Sequence, residues 1–303
     1  MNKKNNRTKK ITLSKNSDAT VAIMNPWRRN LNRTLILAIM IIFTIFAMTP
    51  FFFLITHSFK SGQEMVRHGI SLVPNFSAFT LDMWRLLFDP NNSNYFIWYQ
   101  NSLVYTATQT VIALVLSSTV GYSLGIYKFK GGNIVFVLVL LVMMLPIEIL
   151  MIPMFRQMVG LGIMNSMWGA ILPFVVFPPA VFFFRQFATG LPKELLDAGR
   201  IDGLTEFGIF VRIMAPLMKP AFGAMAILIS MGSWNSLVWP MVVLRENIRL
   251  TIPIGLSTLI TPYGANFDLL MPGAVLAIVP IVIVFLLNQK AFMSGLAVGS
   301  VKG

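Results

Sequence analysis

The chain has 303 residues, of which 56% are hydrophobic and 12% charged, a balance typical of an integral membrane protein and not of a soluble enzyme. It contains no cysteine, which excludes disulfides and cysteine-based metal or redox chemistry. The formal net charge of +13 does not indicate nucleic acid as a partner, because the basic residues flank hydrophobic spans and form no stripe interleaved with aromatic residues.

The first 34 residues form a basic tail with nine lysines or arginines. The apolar run after it is too long for a signal-peptide core and lacks a small-residue cleavage site, so we expect it to remain as the first transmembrane helix. A bilayer-spanning helix needs about 20 apolar residues. Six stretches fit this length approximately: 35–56, 102–126, 134–154, 167–184, 221–243 and 271–287. The sequence therefore predicts an all-α membrane protein with six transmembrane helices.

The distribution of positive charge predicts the topology. If the N-terminus is cytoplasmic, the internal segments hold eighteen of the 24 lysines and arginines and the external segments hold six. Because cytoplasmic loops are enriched in these residues, we expect both termini in the cytoplasm. The external segment after the first helix contains the two histidines of the chain, His57 and His68. A metal site would need further ligands nearby, so we expect loop histidines and no metal site.

The second predicted span carries small residues at every fourth position, namely Ser117, Gly121 and Gly125. Such a stripe lets helices approach closely in a membrane, and we expect helix packing there. Prolines interrupt the third and fourth spans and predict broken helices: Pro146, Pro153, Pro173, Pro178 and Pro179. Glu148 is the one carboxylate well inside a hydrophobic run. It is a candidate for the substrate path, with a position at the external interface as the alternative.

Residues 191–220, the longest polar interruption between the later spans, predict a helix-turn-helix. Pro192 suits the first turn of a helix that ends at Gly203, where a glycine turns the chain at low cost. Thr205 is a suitable cap for a second helix, with Glu206 in its first turn. The apolar face expected on this second helix consists of Phe207, Phe210 and Met214, and the prolines expected to end it are Pro216 and Pro220.

Small residues on the first of these helices, Ala198 and Gly199 with Gly203, form a side that the surface of another protein is expected to approach closely. The spacing resembles the Glu-Ala-Ala signature of permease subunits in bacterial ATP-binding-cassette (ABC) importers. The positions that match are Asp197-Ala198-Gly199, Gly203, Ile213 and Ala215-Pro216, with Asp in place of Glu, Gly in place of the second Ala and Ala in place of Leu; Asp202 belongs to the sugar-importer version of the motif. The resemblance implies that a coupling loop, residues 185–220, docks into a groove of a cytoplasmic ATPase. The alternative is a solvated loop.

The fifth span ends in Trp234-Asn235 followed by Trp239-Pro240. Sugars stack their apolar faces on aromatic rings and need amide or hydroxyl partners, so Trp234, Asn235 and Trp239 are candidates for the substrate path. On a continuous helix the two indoles lie about 140° apart. Unless Pro240 distorts the helix locally, we therefore expect at most one of them to face the path, with Asn235 beside Trp239. The alternative is a belt of aromatic residues at the membrane interface.

The WN-x(3)-WP segment, the TIPIGL segment that starts at Thr251, Gln289 after the last span and the terminal Gly-x-Val-Lys-Gly resemble sugar-importer permeases, in particular the type represented by the shorter permease subunit of the maltose importer. The resemblance implies the fold of a type I ABC importer permease in the bacterial cytoplasmic membrane. It also implies a cytoplasmic tail (1–34), a first transmembrane helix with an external segment (35–97), a permease domain (98–292) and a cytoplasmic C-terminal tail (293–303).

The chain has no G-x(4)-G-K-[ST] phosphate loop, so ATP and Mg²⁺ are expected on another polypeptide and no catalytic residue is assigned. The resemblance implies a heterodimer with a second homologous permease, two copies of a cytoplasmic ATPase, an extracytoplasmic solute-binding protein and a carbohydrate substrate. The competing hypothesis is a secondary transporter or channel driven by an ion gradient. That class predicts several buried carboxylates or an inverted repeat, whereas the sequence offers Glu148 and no clear repeat.

Overall fold

The computed structural model describes residues 26–68, 76–262 and 264–300. Most of the predicted N-terminal tail, residues 1–25, and the end of the predicted C-terminal tail, residues 301–303, lie outside the described residues. The chain divides into two compact units, Met1–Phe53 and Leu54–Gly303.

The first unit holds most of helix α1, Pro26–His57. The helix begins nine residues before the predicted span, with Pro26 at its start, where the missing N–H and fixed φ of proline are tolerated. The side chains of the apolar run 35–52 are almost all exposed, as expected of a helix whose solvent is lipid.

The second unit is almost entirely helical. Its first helices are α2 (Gly62–His68), α3 (Asp82–Phe88), α4 (Tyr95–Ile126), α5 (Gly132–Met143), α6 (Ile147–Gly160), α7 (Met167–Ile171) and α8 (Pro178–Ala188). They are followed by α9 (Glu194–Ile201), α10 (Glu206–Ile209), a π-helical turn (Phe210–Met214), α11 (Ala215–Leu217), α12 (Lys219–Trp234), α13 (Val238–Val243), α14 (Ile252–Thr258) and α15 (Phe267–Ser300). Short 3₁₀ turns are formed by Phe76–Ala78, Leu172–Phe174 and Asn247–Arg249, and β1 (Ile260–Thr261) pairs antiparallel with β2 (Gly264–Ala265), Ile260 opposite Ala265.

Within the described residues, three helices are long and apolar enough to cross a bilayer, over Asn32–His57, Tyr95–Ile126 and Phe267–Leu287. Three further pairs of helices meet the same test only when each pair is taken as one broken span. Their bends are 106° between α5 and α6, 41° between Met167–Phe174 and α8, and 80° between Glu206–Leu217 and α12. The predicted breaks in the third and fourth spans are therefore present, at Pro146 before α6 and at Pro178 at the start of α8. Pro153 was also expected to interrupt the third span, but it lies inside α6.

The predicted continuous span over 221–243 is wrong. Helix α12 ends at Trp234 and the chain becomes helical again only at Val238. Pro240 has no N–H for the carbonyl of residue 236, and its ring would clash with that carbonyl in a continuous helix. Asn235, which was expected beside Trp239 on one helix, is instead the residue that terminates α12.

The small-residue stripe on α4 packs against α8, which confirms the predicted role in helix packing. A Cβ atom on Gly121 would lie 2.6 Å from the carbonyl oxygen of Val181, and one on Gly125 would lie 2.9 Å from that of Arg185. The hydroxyl of Ser117 accepts a hydrogen bond from the N–H of Phe177 at 3.1 Å. Only small side chains allow the two backbones to come this close.

Two hydrophobic clusters hold the second unit together. The first, here called the indole core, contains Trp98, Trp234 and Trp239. The second, here called the loop core, contains Phe184, Leu196, Ile209 and Met214. The loop core therefore joins α8 to the predicted coupling loop.

The expectation of loop histidines is wrong: His57 is the last residue of α1 and is 2% exposed, and His68 ends α2. No group of three or more His, Cys, Asp or Glu that suits a metal ion occurs among the described residues.

Candidate coupling loop and substrate path

The predicted helix-turn-helix is present, although its first helix begins at Glu194, so Pro192 lies before this helix and not in its first turn. Helix α9 ends at Ile201, and Gly203 follows with φ at +75°. The Gly203 N–H donates to the Arg200 carbonyl at 3.1 Å, and the Leu204 N–H donates to the Gly199 carbonyl at 3.0 Å. This pair of bonds is a Schellman motif, which requires a left-handed residue and so favours glycine. No heavy atom lies within 4 Å of where a Cβ of Gly203 would be.

The second helix begins as predicted, but its buried face differs. The Gly208 N–H donates to the Thr205 hydroxyl at 3.1 Å, which caps α10. Phe210 and Met214 are buried in the loop core, whereas Phe207 is 72% exposed. Ile209, fully buried, takes its place on the inner face. Residues two apart on a helix point about 200° apart, so Phe207 and Ile209 cannot share a face.

Gly199 lies on the inner side of the loop and not on the side open to another protein. A Cβ on Gly199 would lie 2.9 Å from both Ile209 Cγ1 and Ile213 Cδ1. The expectation that Gly199 belongs to a low-profile outer surface is therefore wrong, because the second helix of the same loop fills that space. Ala198 and Gly203 remain exposed.

Charged groups connect the two helices of the loop to α4. Arg200 Nε donates to Glu206 Oε1 at 2.8 Å, and Arg200 Nη1 lies 3.2 Å from Asp197 Oδ1. The hydroxyl of Tyr127, just after α4, donates to Glu206 Oε2 at 2.6 Å. The hydrogen bond from Arg200, followed by that from Tyr127, lowers the pKa of Glu206 below its usual 4.5. These contacts are solvent-exposed, so they orient the loop more than they stabilise it.

Two apolar side chains beside the turn are exposed. Ile201 is 86% exposed and Phe207 is 72% exposed, on either side of Gly203. Asp197, Asp202 and Pro216 are also exposed, whereas Ile213 is half-buried against Gly199. Exposed apolar side chains in a segment predicted to lie in the cytoplasm are candidates for an interaction site. The sequence analysis missed Ile201, for which the only available signal was its position directly before the Asp202-Gly203 turn.

Both indoles of the predicted substrate path are buried within the chain. Trp234 is 5% exposed and its Nε1 donates to the Ala277 carbonyl at 3.0 Å. Trp239 is 3% exposed and its Nε1 donates to the Gly169 carbonyl at 3.3 Å. Neither indole therefore forms an exposed aromatic belt. Asn235 is exposed, and its side-chain amide donates to the carbonyl of Met231 in its own helix at 2.8 Å.

Glu148 lies in the first turn of α6, two residues after Pro146, and is exposed. It follows directly after the 106° bend that separates α5 from α6. Glu148 therefore lies at a bend between two helices and not in the middle of one straight helix, so its position depends on the bend.

A cavity of about 310 Å³ lies between α4, α12 and α15. Its wall is mostly apolar and includes one face of Trp234, with three hydroxyl residues: Thr106, Thr110 and Ser230. The hydroxyls of Thr106 and Thr110 are buried and have no hydrogen-bond partner in the described part of the chain. Nearby in the same helix pair, Ser233 donates to Gln109 Oε1 at 2.7 Å. Polar groups at this depth are costly unless a ligand or neighbouring chain satisfies them.

A family model and a curated relative give the same family for this chain. Residues 117–296 match the family model described as "Binding-protein-dependent transport system inner membrane component". The chain is 54% identical to the arabinooligosaccharides transport system permease protein AraQ of Bacillus subtilis (strain 168), over 84% of this chain and 90% of that protein. It is 29% identical to the lactose transport system permease protein LacG of Rhizobium radiobacter, over 92% and 100% of the two chains.

The fold is similar to that of a chain in the crystal structure of a bacterial ABC transporter involved in the import of the acidic polysaccharide alginate. The TM-score is 0.77 at 21% sequence identity, over 89% of this chain and 99% of that one. Both of the relatives above, AraQ and LacG, are named as permease proteins of transport systems. The match to the family model and the 54% identity to a permease show that the chain belongs to the family of inner membrane permease components of binding-protein-dependent ABC transport systems.

Proposed function

We propose that this chain is one of two permease subunits of an ATP-driven importer for oligosaccharides, with arabinose-containing oligosaccharides as the first class to test. The support for this substrate is the 54% identity to a permease whose name specifies arabinooligosaccharides, over most of both chains. The unpartnered hydroxyls of Thr106 and Thr110 and the exposed amide of Asn235 can form hydrogen bonds with the hydroxyls of such a substrate.

In the proposed topology, the six spans of the bacterial cytoplasmic membrane are α1, α4, the bent pair α5 and α6, the bent pair Met167–Phe174 and α8, α12, and α15. Glu206–Leu217 belongs to the cytoplasmic coupling loop and not to a span. Both termini are cytoplasmic, as the distribution of lysine and arginine predicts. The proposed organisation keeps the predicted divisions of a tail (1–34), a first helix with external segment (35–97), a permease domain (98–292) and a C-terminal tail (293–303).

The proposed partners are a second, homologous permease, two copies of a cytoplasmic ATPase that bind ATP and Mg²⁺, and an extracytoplasmic solute-binding protein. The exposed, apolar surface beside the Gly203 turn is the observation that carries the ATPase assignment. In this proposal Ala198, Asp202 and Gly203 face the ATPase together with Ile201 and Phe207. Gly199 and Ile213 support that surface from inside the loop, and Asp197 and Pro216 border it.

For the substrate path, we propose that Asn235 and Glu148 face the passage and that Trp234 borders it at the cavity. Asn235 is exposed at the end of α12, where the helix break leaves backbone groups free to meet a polar substrate. Trp239 supports this break from the indole core through its bond to Gly169.

Uptake by a reconstituted complex tests the function. Proteoliposomes that contain both permeases and the ATPase, with the solute-binding protein outside and ATP inside, should accumulate radiolabelled arabinotriose. Lactose and sn-glycerol-3-phosphate, the substrates named for other relatives, serve as competitors. Uptake that requires an ion gradient and no ATP would contradict the proposed function. Strong competition by lactose, together with only weak uptake of arabinotriose, would indicate a different class of oligosaccharide as the substrate.

Variants at the path sharpen this test. Asn235→Ala should lower the uptake rate at normal abundance of the complex, because an exposed amide that contacts sugar hydroxyls is lost. Asn133→Ala, at an exposed asparagine in the first turns of α5, is the matched control. Equal uptake by both variants would remove Asn235 from the path.

A further inference from the structure

The segment between α13 and α14, residues 244–251, is bound from two sides by side chains of other elements. On one side, the Asn101 amide donates to the carbonyls of Ile248 and Leu250, both at 2.9 Å. Trp98 Nε1 donates to the Asn247 carbonyl at 2.8 Å. These bonds attach the segment to α4.

On the other side, Asn165 uses all of its polar groups to hold the start of the segment. Its Oδ1 accepts from the N–H groups of Arg245 and Glu246 at 3.1 and 3.3 Å, and its Nδ2 donates to Glu246 Oε1 at 2.6 Å. Its backbone N–H donates to the Val243 carbonyl at 2.9 Å, and its carbonyl accepts from Arg249 Nη1 at 2.6 Å. Arg249 in turn donates to Glu246 Oε2 at 2.9 Å.

Asn165 has φ at +54°, the one positive value at a non-glycine residue in the described part of the chain. This conformation is disfavoured for residues with a Cβ, and asparagine tolerates it best. Such a conformation persists only where its surroundings determine it. Here the five hydrogen bonds between Asn165 and residues 243–249 hold this backbone conformation. Together with the bonds to α4, they fix the backbone of the segment at the surface.

The rigid segment presents two unpartnered groups. Arg245 is exposed and forms no ion pair within the described residues, whereas Arg249 is paired with Glu246. Ile248 is 57% exposed although its backbone is fixed by Asn101. A free guanidinium beside an exposed isoleucine on a pre-organised backbone suits a partner surface with carboxylates around an apolar contact.

We propose that Asn165 is a positioning residue that holds residues 244–250 as a docking surface for an acidic patch on the solute-binding protein. The inference rests on the proposed function, in which this end of the molecule faces outward. Arg245 makes the charged contact and Ile248 the apolar one. Because a charge at the edge of an interface acts mainly on association, Arg245 sets the salt dependence of docking.

The experiment measures ATP hydrolysis by the complete complex in nanodiscs at increasing concentrations of the solute-binding protein loaded with arabinotriose. Asn165→Asp keeps the acceptor for the two N–H groups but places a carboxylate against Glu246. The concentration for half-maximal stimulation should rise about tenfold, with unchanged basal hydrolysis. Adding Glu246→Gln to this variant supplies an amide that donates to the new carboxylate and a carbonyl that accepts from Arg249, and should return the value to within about twofold of the unaltered chain.

Arg245→Ala should raise the half-maximal concentration several-fold and flatten its dependence on salt between low and high ionic strength. Arg85→Ala is the matched control, since Arg85 is an exposed arginine on the same proposed side that pairs with Asp82. Should Asn165→Asp fail to assemble, Asn165→Gly removes the side-chain bonds, keeps the left-handed backbone without strain and should show the same rise.

The outcomes distinguish a failure of the docking surface from a failure of the proposed function. If the unaltered complex is stimulated but the Asn165 and Arg245 variants match it, the docking surface is wrong and the proposed function stands. If Glu246→Gln does not rescue Asn165→Asp, the positioning role is wrong. If the unaltered complex is not stimulated by any loaded solute-binding protein, the proposed function fails and the docking surface fails with it.

Discussion

Two turns of this molecule, one at Gly203 and one at Asn165, solve the same backbone problem in different ways. Both have positive φ, +75° and +54°. At Gly203 the turn is free of side-chain contacts and the surrounding loop is held by apolar packing of Ile209 and Met214. At Asn165 the turn is held by hydrogen bonds to the 243–249 stretch. In our proposals, the open turn at Gly203 is itself part of a partner surface, whereas the hydrogen-bonded turn at Asn165 holds a partner surface in another segment.

The largest effect is expected at Gly203. Gly203→Leu adds a left-handed strain of about 1–2 kcal/mol and places a bulky side chain on the open surface. The protein should remain in the membrane, and ATP hydrolysis stimulated by the solute-binding protein should be lost in the purified complex. Gly131→Leu is the matched control, because Gly131 also has positive φ, +88°, and no neighbour within 4 Å. Normal stimulation of the Gly203→Leu complex would refute the coupling assignment.

The second largest effect is expected at Gly199, which lies on the inner side of the coupling loop, whereas its neighbour Ala198 is exposed. Gly199→Leu should cost about 1–3 kcal/mol of stability through overpacking against Ile209 and Ile213. A lower thermal midpoint of the purified complex and a lower yield would report it. Ala198→Leu, at the neighbouring exposed position, should keep the midpoint and weaken only the retention of the ATPase. Identical behaviour of the two variants would mean that Gly199 is not an interior position.

A smaller effect is expected at Glu206. Glu206→Gln removes the charge partner of Arg200 and the carboxylate that accepts from Tyr127, and stimulated hydrolysis should fall by no more than about twofold because the pair is exposed. The pKa of Glu206 is lowered in the folded chain. The contribution of its charge to the free energy of unfolding is therefore complete above about pH 4.5 and is lost as the pH falls through the lowered pKa. Thermal midpoints at pH 7 and pH 5 should therefore show the same difference between the variant and the unaltered chain.

The smallest effect is expected at Asp197. Asp197→Asn removes a charge on the exposed side of α9, 3.2 Å from Arg200, without any strain on the turn. Coupled ATP hydrolysis should stay within about twofold of normal. A loss as severe as that of Gly203→Leu would show that the carboxylate itself contacts the ATPase.

Local patterns in the sequence predict several features of the fold correctly. The glycine at the turn, the Thr205 cap, the prolines at the helix breaks and the four-residue stripe on α4 each act through a few neighbouring residues, so their consequences are local. The family implied by the sequence resemblance is confirmed by the match of residues 117–296 to the family model.

What the tertiary structure decides is which side of each element is buried. Gly199 and Ile209 meet inside the loop, Phe207 is left outside, and the break before Pro240 sends both Trp234 and Trp239 into one core. Asn165 lies 80 residues before Arg245 in the chain, so no local pattern connects them. Helical spacing tells which residues share a face, but the neighbour that covers the face is chosen by packing between distant segments, and only the folded chain contains that information.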